Sequence, residues 1–437
     1  MQPDSAPSTP TRDAPLVRAL GPWGLAASIV NVTIAGSIFV LPGTLGASMS
    51  AAAPLAFLLG ALLFVPLVLS FAAVGSRVIT SGGPYVYVET AFGRFPAFLV
   101  AALLWISSVS GSGGVAAALA DQFAHALPWT AAPLPRTVLL LCVYGSLVMV
   151  NALGIRSGAR ANVAFAVAKV LPLIVIAIMG LRYAHTQNFV VTEWPGTRAL
   201  GTALILVVFA YSGVETALAP SGEMRNNDKV VPVAVLTGVG IVVALYVAVQ
   251  AVCQGVLGPA LAGHAAPVTA VAEKMVSGGG VLVVITAAIA LFGCLQGDLL
   301  GTSRLLYALA RDGLLPKALA RVTPHSRVPL VAIVTHAGAA FAVAMGSSFN
   351  TLALVSGGAF CFVYIGSAAA AWQLQRRQIS QTPAPLVLPG GALIPGAGIV
   401  GFLLILATLH RNEWFAIGSA IACICALYAM TQLERKS

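Results

Sequence analysis

The sequence predicts an all-α polytopic membrane protein with twelve transmembrane helices. Of its 437 residues, 59% are hydrophobic and only 8% are charged, whereas about a quarter of the residues of a soluble domain are charged. The mean hydropathy is +0.94. One bilayer crossing takes about 20 apolar residues, so twelve crossings take roughly 240 residues and leave short loops. The apolar runs are long and unbroken, which excludes the short alternating segments of a transmembrane β-barrel.

Clusters of Gly, Pro and charged residues divide the chain into the twelve predicted spans. Two such boundaries are Ser81–Pro84 and Leu314–Lys317. Residues 80–94 are too polar to cross a bilayer and are expected at the cytoplasmic face. The predicted spans are residues 22–48, 53–76, 95–120, 136–151, 161–181, 199–220, 231–256, 279–309, 328–346, 351–374, 388–409 and 414–432.

The basic residues predict which side of the membrane each loop faces. With the N-terminus inside, the inside loops hold 17 of the 23 Lys and Arg residues, Arg304 among them, and the outside loops hold 5. Short loops rich in Lys and Arg remain in the cytoplasm, so both termini are predicted to be cytoplasmic in a multi-pass protein of the cell (inner) membrane. The net charge of +10 therefore reflects membrane topology, and no nucleic-acid partner is expected.

Residues 1–20 are predicted to form a disordered cytoplasmic tail, because the first 15 are rich in Pro, Ser and Thr. The tail lacks the apolar core of a cleaved signal peptide, so the first span is expected to be retained. All six cysteines lie in apolar segments and lack the spacing of a zinc site. No Walker loop or nucleophile motif occurs. The sequence therefore predicts no metal, no cofactor and no enzymatic activity.

Two spans contain breaks of glycine and small hydroxyl residues in the middle of the membrane, in Asn31–Gly43 and Phe209–Thr216. One such site alone is commonly explained by close helix packing. Here Gly36 and Gly213 are 177 residues apart and open two successive blocks of five spans. Interrupted spans at corresponding positions of two halves indicate a transporter site, where the ends of half-helices bind the charged groups of a substrate. An amino acid carries both charges.

At these residues the sequence resembles the amino acid–polyamine–organocation (APC) transporters, over nearly the whole chain. Five motifs occur in the order of that family. They are Gly36–Phe39 with Pro42, the loop motif Gly82–Tyr87, the second break Phe209–Glu215, the loop from Gly222–Glu223 to Pro232–Ala234, and the stretch Ser303–Pro316. The first break departs from the family pattern, because Ser37 adds a side chain where the family usually has glycine.

The resemblance implies a LeuT-type fold of two inverted five-helix repeats, at residues 21–198 and 199–375. Two peripheral helices and a short cytoplasmic tail follow at residues 376–437. It also implies a substrate site between the two breaks, with Phe209 as an aromatic gate and with backbone carbonyls of Tyr211 and Ser212 bound to the substrate amine. The implied substrate-binding residues are Ala35, Gly36, Ser37, Ile38, Phe209, Ala210, Tyr211, Ser212 and Gly213.

Three charged residues inside spans are candidates for proton coupling. Several members of the family have a lysine at the place of Lys169, where sodium-coupled relatives bind sodium, and burial disfavours the charged form of lysine. Asp298 is expected either to pair with Lys169 or to contact the substrate. Glu215 is expected either to relay protons or to accept hydrogen bonds from the freed backbone of the break. His336 is interpreted as a packing residue.

The predicted function is secondary active transport of amino acids, with neutral ones favoured, by alternating access that is proton-linked or an exchange. The direction of transport stays open, as do the monomeric and homodimeric states. Asp298 leaves a cationic amino acid or polyamine transporter as an alternative. A channel or a sensor belongs to a different class, but no filter motif or output domain is found. An intramembrane enzyme is indicated only by the pair of Lys169 and Asp298.

Overall fold

The computed structural model describes residues 21–153, 155–224 and 226–409, and beyond these the separate positions 414, 417–419, 421–422, 424–426 and 428. Within these residues the chain is helical, and turns and short 3-10 helices connect the helices. The predicted tail at residues 1–20 lies outside the described residues, as do Arg225 and nine of the nineteen residues of the twelfth predicted span.

Fifteen α-helices are formed by the described chain. They are α1 (Pro22–Thr33), α2 (Ser37–Met49), α3 (Ala53–Arg77), α4 (Pro84–Phe92), α5 (Arg94–Ala126), α6 (Pro133–Ala152), α7 (Ile155–Gly180), α8 (Thr197–Tyr211), α9 (Val214–Ala217), α10 (Asn227–Leu257), α11 (Pro267–Met275), α12 (Gly279–Arg311), α13 (Leu330–Gly346), α14 (Phe349–Arg376) and α15 (Leu393–Ala407).

The helices confirm the prediction of a multi-pass all-α membrane protein. Eight helical stretches of the described chain are long and apolar enough to cross a bilayer. Shorter apolar helices cover Leu330–Gly346, Leu393–Ala407 and Ile417–Ala426, the last of which runs over residues outside the described set. The first and sixth predicted spans are each divided into two helices, α1 with α2 and α8 with α9, at the two predicted breaks.

The two divided spans lie in the interior of the bundle. Helix α1 packs against α7, α10 and α12, and α9 packs against α1 and α12. By contrast, α6 and α7 expose large apolar side chains such as Leu141, Met149, Leu171 and Ile178. Apolar side chains are stable in contact with lipid tails, so these helices suit the outside of a bundle. The breaks are therefore enclosed by other helices, where irregular backbone is tolerated in a membrane.

Arg304 was predicted to lie in an inside loop, and this assignment was wrong. It lies within α12 with its side chain fully buried, and its Nε donates to Glu223 Oε1 over 2.9 Å. Its Nη1 also donates to the carbonyl of Leu300 over 3.2 Å. A basic side chain is retained inside a helix bundle when a carboxylate and backbone carbonyls accept its hydrogen bonds. The count of basic inside residues falls to 16, still against 5 outside.

Candidate substrate-binding site

At the first break, side chains of other helices donate hydrogen bonds to the free carbonyls at the end of α1. The last four carbonyls of a helix have no partner within it. Here the carbonyls of residues 31–34 all accept a hydrogen bond from a side chain of another helix. The donors are Lys169 Nζ to Asn31 (2.7 Å) and to Ile34 (2.7 Å), Cys294 Sγ to Val32 (2.9 Å) and Tyr246 Oη to Thr33 (3.1 Å).

Beyond the break, the N-terminal end of α2 faces the same region. The first backbone N–H groups of a helix have no intrahelical acceptor and carry partial positive charge. Ser37, the first residue of α2, also places its hydroxyl in hydrogen-bond contact with Tyr246 Oη. A Cβ added to Gly36 would come within 2.8 Å of Leu291 Cδ2. A side chain at position 36 would therefore require Leu291 on α12 to shift.

The second break is formed by Ser212 and Gly213, between α8 and α9. Gly213 has φ +139°, a backbone conformation that favours glycine, and an added Cβ would collide with Thr33. Its N–H donates to Glu215 Oε1 over 2.8 Å, and Tyr364 Oη donates to Glu215 Oε2 over 3.0 Å. Glu215 thus accepts a bond from the freed backbone, one of its two predicted roles.

A small cavity of about 40 Å³ lies between the two breaks. On this measure a single water molecule needs roughly 10–15 Å³, so the cavity holds only a few small groups in this conformation. All of its lining residues except Gly111 are buried. The lining residues are Val32, Thr33, Ala35, Ser37, Ser107, Ser108, Gly111, Ser112, Val115, Phe209, Ser212, Gly213, Glu215, Thr216, Cys294, Asp298, Ser356 and Phe360.

Seven of the twelve residues predicted for the site line this cavity, namely Ala35, Ser37, Phe209, Ser212, Gly213, Glu215 and Asp298. Gly36, Ile38, Ala210, Tyr211 and Lys169 do not. The side chain of Tyr211 turns toward α3, where its hydroxyl donates to the carbonyl of Phe57 over 3.0 Å. The ring of Phe209 makes an edge contact with Phe349, with 5.9 Å between the ring centroids.

Of the two roles expected of Asp298, pairing with Lys169 was wrong. Lys169 Nζ donates to three carbonyls, those of Asn31 and Ile34 and, over 3.1 Å, that of Ala290. Asp298 Oδ2 lies 2.8 Å from His336 Nε2. His336, interpreted from the sequence as a satisfied packing residue, is fully buried, and this contact gives its Nε2 a partner. Lys169 is drawn to the end of α1 because the helix dipole and three carbonyls bind an ammonium group there.

From the sequence alone, a place in the cavity lining and helix packing explain Ser107 and Ser108 equally well, so neither was included in the predicted site. Ser107 and Ser356 join α5 to α14, each hydroxyl donating to the other residue's carbonyl over 2.7 and 2.8 Å. The hydroxyls of Ser108 and Thr33 are buried and have no hydrogen-bond partner among the described residues. Ser107 and Ser108 begin a run of serine and glycine at Ser107–Gly114, and Thr33 lies in the first break, Asn31–Gly43.

Comparison with known proteins agrees with this architecture. A profile of the amino acid permease family matches residues 20–430. The chain belongs to this family, within the APC superfamily. The permease is 26% identical to the serine/threonine exchanger SteT of Bacillus subtilis (strain 168), over 94% of this chain and 95% of that protein. It is 30% identical to the branched-chain amino acid permease BcaP of Lactococcus lactis, over 90% and 91% of the two chains.

Not every relative of the permease is named for an amino acid. The methylthioribose transporter of Bacillus subtilis is 26% identical, over 74% of this chain and 73% of that protein. Family membership therefore does not identify the substrate, and the residues of the cavity between the two breaks are the evidence for it.

Proposed function

We propose that this permease is a secondary active transporter of small neutral amino acids that works by alternating access. Substrate binds between the breaks at Ala35–Ser37 and Tyr211–Gly213. Both termini lie on the cytoplasmic side of the cell membrane. The two predicted repeats, residues 21–198 and 199–375, move relative to each other around the bound substrate.

The observation that carries the proposal is the pairing of two interrupted helices around one cavity. The N-terminal end of α2 offers N–H groups to a substrate carboxylate, and the C-terminal end of α8 offers carbonyls to a substrate ammonium group. At the first break, the carbonyls of Asn31 and Ile34 at the C-terminal end of α1 already accept hydrogen bonds from Lys169. The remaining half-helix ends match the two charges of one amino acid.

Two further observations support small neutral substrates. The cavity is small and is lined mainly by hydroxyl groups and apolar side chains. Three relatives that align with 90% or more of this chain are named for serine and threonine or for branched-chain amino acids. Asp298 in the lining favours the second candidate, a transporter of cationic amino acids or polyamines.

The coupling we propose is to protons, through Lys169. A charged lysine has three N–H donors, and three carbonyls at the junction of α1 and α12 accept from it. A neutral amine has only two N–H groups and loses one of these bonds. Loss of the proton therefore loosens the junction beside the first break, which links the charge of Lys169 to helix movement.

The deciding experiment is an uptake and exchange screen in proteoliposomes with a panel of labelled amino acids and polyamines. We expect uptake of small neutral amino acids and none of arginine or polyamines. Gly213→Val should abolish uptake, because its side chain collides with Thr33 in the second break. Gly240→Val on α10 is the matched control, since a Cβ there meets open space. Absence of transport for every compound contradicts the proposal, and uptake of only cationic ones favours the second candidate.

A further inference from the structure

We propose that Asp298 recognises the side chain of the substrate and selects amino acids that carry a side-chain hydroxyl group. This inference rests on the proposed function, since it names the substrate class of the same cavity. Asp298 lines the cavity and is 7% exposed. No other helix of the described chain brings a carboxylate to the cavity except α9, whose Glu215 is bonded to Gly213 and Tyr364.

The carboxylate of Asp298 is held in place as an acceptor. Thr302 Oγ1 donates to its Oδ1 over 3.1 Å, and His336 Nε2 lies 2.8 Å from its Oδ2. With the proton on Nε2, the imidazole of His336 donates to the carboxylate. A carboxylate has about four acceptor positions, so two remain for a ligand after these two bonds are made. His336 is thus a positioning residue, and Asp298 is the group that contacts substrate.

The cavity also contains hydroxyl groups that require a partner. Ser108 and Thr33 are each 4% exposed, and neither hydroxyl has a hydrogen-bond partner within the described chain. A buried polar group without a partner is costly, so a ligand that pairs with it is favoured.

A substrate hydroxyl is the group that fits both kinds of partner. It donates one hydrogen bond to Asp298 and accepts another from Ser108 or Thr33. An ammonium group has no lone pair and leaves the serine or threonine proton unpaired, and a methyl group pairs with neither. The small cavity volume, about 40 Å³, further restricts the side chain to a few atoms. Serine and threonine have such side chains.

Threonine and valine provide the test, because they have nearly the same shape and differ in a hydroxyl against a methyl group. Uptake of each labelled amino acid is measured in proteoliposomes over a range of concentrations. We expect the wild-type protein to show a kcat/KM for threonine at least about tenfold above that for valine, the lower end of what a hydrogen bond to a charged group supplies.

Variants of the acceptor should reduce this ratio. Asp298→Ala should bring it close to one, and Asp298→Asn should reduce it in part, since an acceptor oxygen remains without its charge. His336→Ala should also lower the ratio, because the carboxylate loses the ring that positions it. Asp121→Asn and His185→Ala are matched controls at exposed positions and should leave the ratio unchanged. Size-exclusion profiles identify any variant that does not fold. Only the uptake ratios of the folded variants test the inference.

Three outcomes overturn the inference. The first is equal transport of threonine and valine by the wild-type protein, and the second is an unchanged ratio in folded Asp298 and His336 variants. The third is preferred uptake of 2,4-diaminobutyrate over threonine, since Asp298 then binds a cation. Failure of the proposed function looks different, because the wild-type protein would then transport no amino acid.

Discussion

Lys169 is the residue on which the geometry of the first break most depends. Its ammonium group is fully buried and donates to carbonyls of α1 and α12 at once. A buried charge is costly unless hydrogen bonds compensate it, and here three carbonyls do so. The same side chain therefore stabilises the unwound segment and gives it a group that can gain or lose a proton.

We predict that Lys169→Ala abolishes the pH dependence of amino acid uptake while retaining some substrate binding. The variant cannot exchange a proton, and its freed carbonyls lower the stability of the folded state by about 1–3 kcal/mol for each one left unsatisfied. The measurement is the initial uptake rate from mildly acidic to mildly alkaline pH, alongside the melting temperature in detergent.

Lys274→Ala is the control for this prediction. Lys274 is an exposed lysine on α11 that also donates to a carbonyl, that of Val256. Its replacement should leave the pH profile as it is in the wild-type protein. If folded Lys169→Ala protein keeps the wild-type pH profile, Lys169 has no part in proton coupling.

At the scale of elements, α9 is the most dependent on its surroundings. It has only four residues, Val214–Ala217, and isolated helices of this length are not stable. Glu215 fixes it by accepting bonds from the N–H of Gly213 and from Tyr364 on α14. The position of this half-helix beside the cavity is therefore set by a carboxylate that bridges two elements.

We predict that Glu215→Gln retains both the stability of the fold and amino acid uptake, whereas Glu215→Ala lowers both. The glutamine oxygen can accept from Gly213 and its amide can donate to the oxygen of Tyr364. Alanine leaves a buried N–H without an acceptor, at a cost of about 1–3 kcal/mol. Thermal unfolding in detergent and proteoliposome uptake measure the two effects.

Glu273 on α11 offers a matched comparison, since it accepts from the N–H groups of Gly278 and Gly280 but is exposed. Glu273→Ala should cost less stability than Glu215→Ala because water can replace the lost acceptor. A folded Glu215→Gln protein that no longer transports, or whose rate no longer responds to pH, assigns Glu215 a proton relay instead.

At the scale of the whole molecule, buried polar groups are concentrated near the breaks within a largely apolar interior, and apolar side chains cover the outward sides of the outer helices. Hydrogen bonds among α1, α7, α10 and α12 surround the first break, and the outward sides of α6 and α7 are apolar. This arrangement suits a protein whose irregular backbone has to be shielded from lipid. It also leaves the short loops free to carry the charges that set membrane orientation.

We predict that residues 121–135 and 310–327 lie on opposite sides of the membrane, the first outside and the second inside. Five spans separate them in the twelve-span arrangement, and the basic residues favour the inner side for the second loop. Reporter fusions that are active on one side of the membrane only, placed in each loop, measure this. The same side for both reporters contradicts the twelve-span topology.

The all-helical fold class, the approximate positions of the apolar helices and the two breaks in the first and sixth spans could be predicted from local sequence. The length of an apolar run, and a glycine such as Gly36 or Gly213, influence the backbone conformation of their own segment. This influence does not depend on contacts with distant parts of the chain. The partners of the charged side chains could not be predicted in this way. Lys169 binds a carbonyl 138 residues away, and Asp298 binds His336 across two helices. A buried charge is satisfied by whichever donors, acceptors and dipoles folding brings within hydrogen-bond distance, and no local pattern records them.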